Sequence, residues 1–117
     1  MTTSLSKHSY EFAQNQIKQG RVVHDQRDDW SEHQPSANAE NEFIEAHGWA
    51  EYANWHLGVD DEASERTKAR YKFPYGDFEQ VHRCGLIAAE VRAARQKYLD
   101  IEDAAIRLRE MTDKQNR

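Results

Sequence analysis

Six histidines and a run of acidic residues hold most of the chain's potential for chemistry. His24, Asp25, Asp28, Asp29 and His33 fall in one short stretch, and His47 and His56 flank Trp49–Trp55. Imidazole and carboxylate groups can hold zinc, provided three or four converge at ~2.0–2.2 Å from the ion. The spacings fit no recognised zinc pattern. His47 and His56 would share a helix face only if one helix ran unbroken through Gly48. Solvated or capping histidines are the simpler reading, so no residue is assigned as a metal ligand. A His/Asp metal-binding protein stays as an alternative.

Nucleophilic catalysis would require an activated nucleophile beside a base. The only cysteine, Cys84, lies two residues from His82. On a helix that spacing turns the two side chains about 200° apart, the wrong geometry for a Cys–His pair. Cys84 also falls on an apolar arc, where a free thiol behaves as a small hydrophobe. A glycine-rich phosphate loop is absent. The expectation is that the chain is not an enzyme, with no catalytic residue and no cofactor.

The elements that position these residues read as helices. Ser6 or Ser9 suits the N-cap of a helix over 6–19, with Gly20 as its terminator. Ser36 opens a second helix to about His47. Gly48 separates it from Trp49–Leu57, so 37–57 is one kinked helix or two short ones. Arg21–His24 is too short to classify, and its only foreseeable strand partner is Tyr71–Tyr75. Trp30 pins an otherwise polar loop. Residues 60–70 form a solvated helix or linker.

Pro74 disfavours helix before it. Tyr71–Tyr75 is therefore extended, with Tyr71, Phe73 and Tyr75 on one side. Asp77, with Gln80 three residues on, reads as the capping box of a long helix. That helix runs from Phe78 to about Lys97, with a wide apolar arc that includes Cys84, Gly85, Ala88, Ala89 and Val91. Asp100 caps a second helix to about Asp113, with Leu99 and Ala104 placed for a hydrophobic staple. Its face is Ile101, Ala104, Ala105, Leu108 and Met111.

The net charge of −5 conceals segregation. Residues 24–65 carry −11, the first 23 carry +2 and residues 66–117 carry +4. The acidic middle is expected to pack against the basic C-terminal part, pairing with Arg92 and Arg95. The absence of a signal-like apolar start or an ~18-residue apolar run, together with the single cysteine, points to the bacterial cytoplasm and away from a membrane.

Lys72-Phe73-Pro74, Asp77, Val81-His82-Arg83, and Asp100-Ile101-Glu102 with Ala104-Ala105 form a pattern that resembles a group of small bacterial proteins without an assigned activity. That resemblance extends through Trp49-Ala50-Glu51-Tyr52 and Trp55-His56-Leu57-Gly58. Residues 71–112 are also similar to short helical C-terminal modules of phage-derived prohead-protease-like proteins. Neither resemblance implies a catalytic residue.

The expected fold is all-α, a single domain over 1–117 of four or five helices. It ends in a helical hairpin (77–97, 100–113), with 1–5 and 114–117 disordered. The expected role is a protein-interaction module that binds a protein partner or itself. Its docking surface would join Tyr71, Phe73 and Tyr75 to Arg83, Arg92 and Arg95. The alternative is a nucleic-acid-associated protein using Arg83, Arg92, Arg95 and Lys97. Against it, the second hairpin helix opens with Asp100, Glu102 and Asp103, which would repel phosphates.

Overall fold

A computed structural model describes residues 3–115 of the chain. In chain order the elements are β1 (Thr3–Leu5), α1 (Lys7–Lys18), β2 (Val22–Val23), α2 (Trp30–His33), α3 (Ala37–His47) and α4 (Trp49–Asn54). Then follow β3 (His56–Asp60), a 3-10 turn (Lys68–Arg70), β4 (Tyr71–Pro74), β5 (Val81–His82), α5 (Arg83–Gln96) and α6 (Leu99–Gln115). The fold is mixed α/β, which overturns the all-α expectation. An antiparallel sheet runs in the order β1-β3-β4, and β2 pairs in parallel with β5.

The helical starts follow local chemistry. Ser6 and Ser36 cap α1 and α3 by accepting from the N–H groups of Ser9 and Ala39. Gly20 and Gly48 take φ values of +78° and +89°, conformations that glycine adopts without a Cβ penalty. Gly48 divides 37–57 into two helices, and the second ends at Asn54. Beyond it the chain does not stay helical to Leu57. His56–Asp60 becomes the central strand, between β1 and β4. A Cβ on Gly58 would lie 2.8 Å from the Phe73 ring and 3.1 Å from Ile101, so strand, ring and helix meet there at contact distance.

Expected disorder at 1–5 and 114–117 falls partly on residues 1, 2, 116 and 117, which lie outside the described residues. Thr3–Leu5 forms an edge strand, and Lys114 and Gln115 continue α6. Asp100 ties the first strand to the last helix by accepting from the Leu5 N–H at 2.8 Å. It does not cap α6 from outside, because that helix already includes Leu99, whose side chain is exposed. The proposed staple is therefore not made.

The hairpin α5–α6 packs against the three-stranded sheet, with α1 closing the side. Ile17, Leu57, Tyr75, Val81, Leu86, Ala93, Ile101 and Leu108 are all fully buried in this core. Tyr75 donates its hydroxyl to the Asn54 carbonyl at 2.6 Å, which satisfies the one polar atom of a buried ring. The Ser9 hydroxyl similarly donates to the Ala53 carbonyl at 2.8 Å, joining α1 to the end of α4.

The first turn of α5 lies directly on the backbone of Tyr75. A Cβ on Gly85 would sit 2.5 Å from the Tyr75 carbonyl oxygen and 2.9 Å from its Cα. Backbone on both sides leaves no flexible side chain to yield. Gly85→Ala is therefore expected to cost about 1–3 kcal/mol, in the range of overpacked cores. A lowered urea midpoint with unchanged slope would register it. An unchanged midpoint would show that α5 can slide away from Tyr75.

Candidate functional site

β5 ends at His82 and α5 begins at Arg83, so His82 is not on the helix that carries Cys84. The 200° separation expected from a continuous helix does not apply. Asp77 also fails to cap a helix. Its Oδ1 accepts from the N–H groups of Glu79 and Gln80 at 2.9 and 2.7 Å, and so closes a tight turn in which Phe78 takes φ +73°. The Asp-x-x-Gln pattern serves the turn. The chain then returns to pair Val81 with Gly76 before the helix starts.

This turn places His82 between two carboxylates. Its Nδ1–H donates to Asp25 Oδ2 at 2.7 Å, and its Nε2–H donates to Asp77 Oδ2 at 2.8 Å. Ionised carboxylates only accept, so the ring holds both protons and carries a positive charge. Burial favours the neutral ring. The hydrogen bonds and charges of Asp77 and Asp25 outweigh it and raise the His82 pKa above the ordinary value. Burial likewise opposes ionisation of Asp25 and Asp77. Their hydrogen bonds, to the Cys84 N–H and His82 for Asp25 and to His82 and turn N–H groups for Asp77, lower both pKa values.

Asp25 has a further task. His82 gives α5 no side-chain cap, and Asp25 Oδ1 accepts from the Cys84 N–H at 2.7 Å. A carboxylate 59 positions away in sequence thus satisfies an N–H of the first helical turn and sits where the helix dipole favours negative charge. The Cys84 thiol also bonds Asp25. Burial, followed by the hydrogen bond to and charge of Asp25, pushes its pKa well above the ordinary value. Cys84 is a protonated thiol, not an activated nucleophile.

Around this cluster lie Trp30 and His33 from α2. The His33 ring stacks on His82 with centroids 5.0 Å apart, and Trp30 lies 6.0 Å from His82. Trp30 is buried, as expected of the residue that pins its loop, and its indole N–H has no hydrogen-bond partner among the described residues. Beside Trp30 opens a hollow of about 330 Å³. Cys84, Ile87, Ala88 and Val91 of α5 line it, and Arg27, Arg92 and Arg95 are also in its wall.

The expected docking surface is thereby divided. Tyr75 is fully buried and Phe73 nearly so, which removes both from any exposed face. Tyr71 is half-buried, donating its hydroxyl to the Glu65 carbonyl at 2.7 Å. Arg83 is held by Asp113 at 2.7 Å. Arg92 and Arg95 remain exposed on α5. Among the described residues neither pairs with an acid of 24–65, contrary to the expectation, and Arg27 also has no ion-pair partner. The acidic middle instead reaches the C-terminal part through Glu40–Lys68, Asp61–Arg70 and Asp25–His82.

Of the acidic and histidine run at 24–33, Asp25 turns inward and His33 stacks on the cluster. His24 and Asp28 are exposed. His47 pairs with Glu51 on the surface at 3.0 Å, whereas His56 is buried beneath Tyr52 and Tyr71. Sequence reasoning did not group His82, Asp77 and Asp25. Their only local signal was the turn chemistry of Gly76-Asp77, which also fits a helix start. Among the described residues no helix is long and apolar enough to cross a membrane. The chain matches no protein-family model, no curated protein and no solved structure.

Proposed function

We propose that the chain is a non-enzymatic binding module that holds an acidic partner segment, anchored by an apolar side chain, in the hollow beside α5. One observation carries this reading. Arg27, Arg92 and Arg95 surround an apolar wall of Trp30, Ile87, Ala88 and Val91, and none of the three arginines has an ion-pair partner among the described residues. Arginine and tryptophan are enriched where binding energy concentrates. Guanidinium groups suit carboxylates by their planar, two-pronged geometry.

The apolar wall favours a protein segment over a nucleic acid, because phosphate backbones gain little from aliphatic surface. The loss of Arg83 to its pair with Asp113 and the acid-rich start of α6 weigh the same way. The raised Cys84 pKa and the complete hydrogen bonding of His82 support a role without catalysis.

The probe is a fluorescein-labelled peptide with glutamates flanking one leucine or phenylalanine. The expected result is saturable binding that falls at least tenfold in Arg92→Glu/Arg95→Glu and only modestly with salt. Equal binding to wild type and the double variant would overturn the reading. Tighter binding of a short DNA duplex, with a steep salt dependence, would transfer it to nucleic acid.

A further inference from the structure

One donor atom from each of Asp25, His82 and Cys84 lies within 4.8 Å of the other two, and no other such group of three occurs among the described residues. We propose that these residues form a binding site for one zinc-like divalent ion. The ion would take His82 Nδ1, an Asp25 carboxylate oxygen and the Cys84 sulfur, with His33 Nε2 or water completing a tetrahedron.

Four features of the geometry support it. The donor set mixes nitrogen, oxygen and sulfur, which suits a borderline-soft ion with tetrahedral preference. Asp77 bonds the far nitrogen of His82 at 2.8 Å, the arrangement that orients metal-bound imidazoles and strengthens them as ligands. His33 Nε2 already lies 4.0 Å from Asp25 Oδ2, on a side chain exposed enough to swing inward. Cys84 lines the solvent-facing hollow beside α5, which supplies an entry path. The fit requires small movements. Tetrahedral ligands with bonds of ~2.0–2.3 Å stand about 3–4 Å apart. The Asp25–His82 pair must therefore open slightly from 2.7 Å, while the Cys84 sulfur lies within 4.8 Å of both.

The proton balance makes the exchange electrostatically neutral. Before binding, the cluster holds an imidazolium, two carboxylates and a neutral thiol. Binding drives the Nδ1 proton and the thiol proton to the buffer, and one divalent ion replaces them. The net charge buried in the cluster is unchanged, so no new uncompensated charge is left in the interior. The hydrogen-bonded form holds the site in shape when the ion is absent.

Cobalt(II) is the test ion, because Cys84 is the only sulfur in the chain that can bind it as a thiolate. Full-length protein, stripped with chelator and desalted, is titrated at pH 7.5. The expected result is a near-ultraviolet thiolate-to-cobalt charge-transfer band that saturates at one equivalent and is displaced by zinc. Zinc calorimetry in buffers of different ionisation heat should report up to two protons released per ion.

Cys84→Ser keeps a hydroxyl that can bond Asp25 and is expected to keep the fold, which is checked by circular dichroism. It should lose the band and bind zinc at least tenfold more weakly. Asp77→Asn should weaken zinc binding about 10–100-fold, as for other residues that orient a ligand. Absence of the band in wild type, or zinc affinity in Cys84→Ser within twofold of wild type, would overturn the proposal.

Discussion

Asp25→Ala is expected to destabilise the protein by about 3–5 kcal/mol, the range seen when one member of a buried ion pair is removed. The effect is large because one carboxylate serves three groups. Its loss leaves the His82 imidazolium with Asp77 alone and removes the carboxylate partner of both the Cys84 N–H and the Cys84 thiol. It also removes negative charge from the N-terminal end of α5. Asp25→Asn separates these contributions. Its carbonyl oxygen can still accept from the Cys84 N–H, and its amide can donate to a neutral His82 ring that keeps Nε2–H on Asp77. The asparagine variant should therefore recover part of the loss in urea denaturation. Equal stability of wild type and Asp25→Ala would mean that α5 and the 24–29 loop do not depend on this carboxylate.

A second large effect follows from His56. This ring is almost fully buried, and its Nδ1–H donates to the Tyr52 carbonyl at 2.8 Å, which fixes the tautomer. Burial, opposed only by that hydrogen bond, pushes its pKa down from 6.5 to about 4. Above pH 6.5 the ring is neutral in both the folded and unfolded states, and its titration contributes nothing. As pH falls from 6.5 toward 4 the unfolded chain takes up a proton that the folded ring resists, so stability declines. A shift of this size corresponds to about 3 kcal/mol by the time both states are protonated.

His56→Asn retains a donor near the Tyr52 carbonyl and does not titrate. The stability difference between wild type and this variant should therefore change by about that amount between pH 6.5 and 4. Parallel pH profiles would show that His56 protonates freely in the folded state.

His82 acts with the opposite sign. Its raised folded pKa gives stability that is complete below 6.5 and is lost as pH rises through the folded value. Asp25 and Asp77, with lowered values, contribute stability that is present above 3.8 and lost as pH falls through their folded values. Taken by themselves, His56 and His82 make stability fall on either side of about pH 6.5, and Asp25 and Asp77 add a further loss below 3.8.

The parts of this structure legible in the sequence are those fixed by neighbours. Ser6 and Ser36 cap helices and Gly48 breaks one, because each acts within a few residues. Tyr71–Pro74 is a strand as expected, but Phe73, directly before Pro74, takes φ +62° instead of extended backbone. The sheet was not legible. β2 and β5 have two residues each and pair across nearly sixty positions, while β3 opens with His-Leu directly after Trp55, a run that continues a helical apolar pattern as readily as a strand. Asp77 illustrates the ambiguity: the same Asp-x-x-Gln satisfies two N–H groups whether a helix or a tight turn follows. Because a tight turn follows, α5 starts at Arg83, five residues after Phe78, and His82 is free to meet Asp25. Arg92 and Arg95 were recognisable as solvent-reaching cations on an apolar arc, but only the tertiary fold shows which acids fail to reach them.

The most direct test of the binding role is nuclear magnetic resonance mapping of the wild-type protein with the glutamate-flanked peptide. Shifts are expected to concentrate on Ile87, Ala88, Val91, Arg92 and Arg95 of α5 and on the Trp30 indole N–H, which has no hydrogen-bond partner among the described residues. Shifts confined to another face, such as the aromatic hollow lined by Phe12, Phe43 and Phe78, or no shifts at saturating peptide, would contradict it.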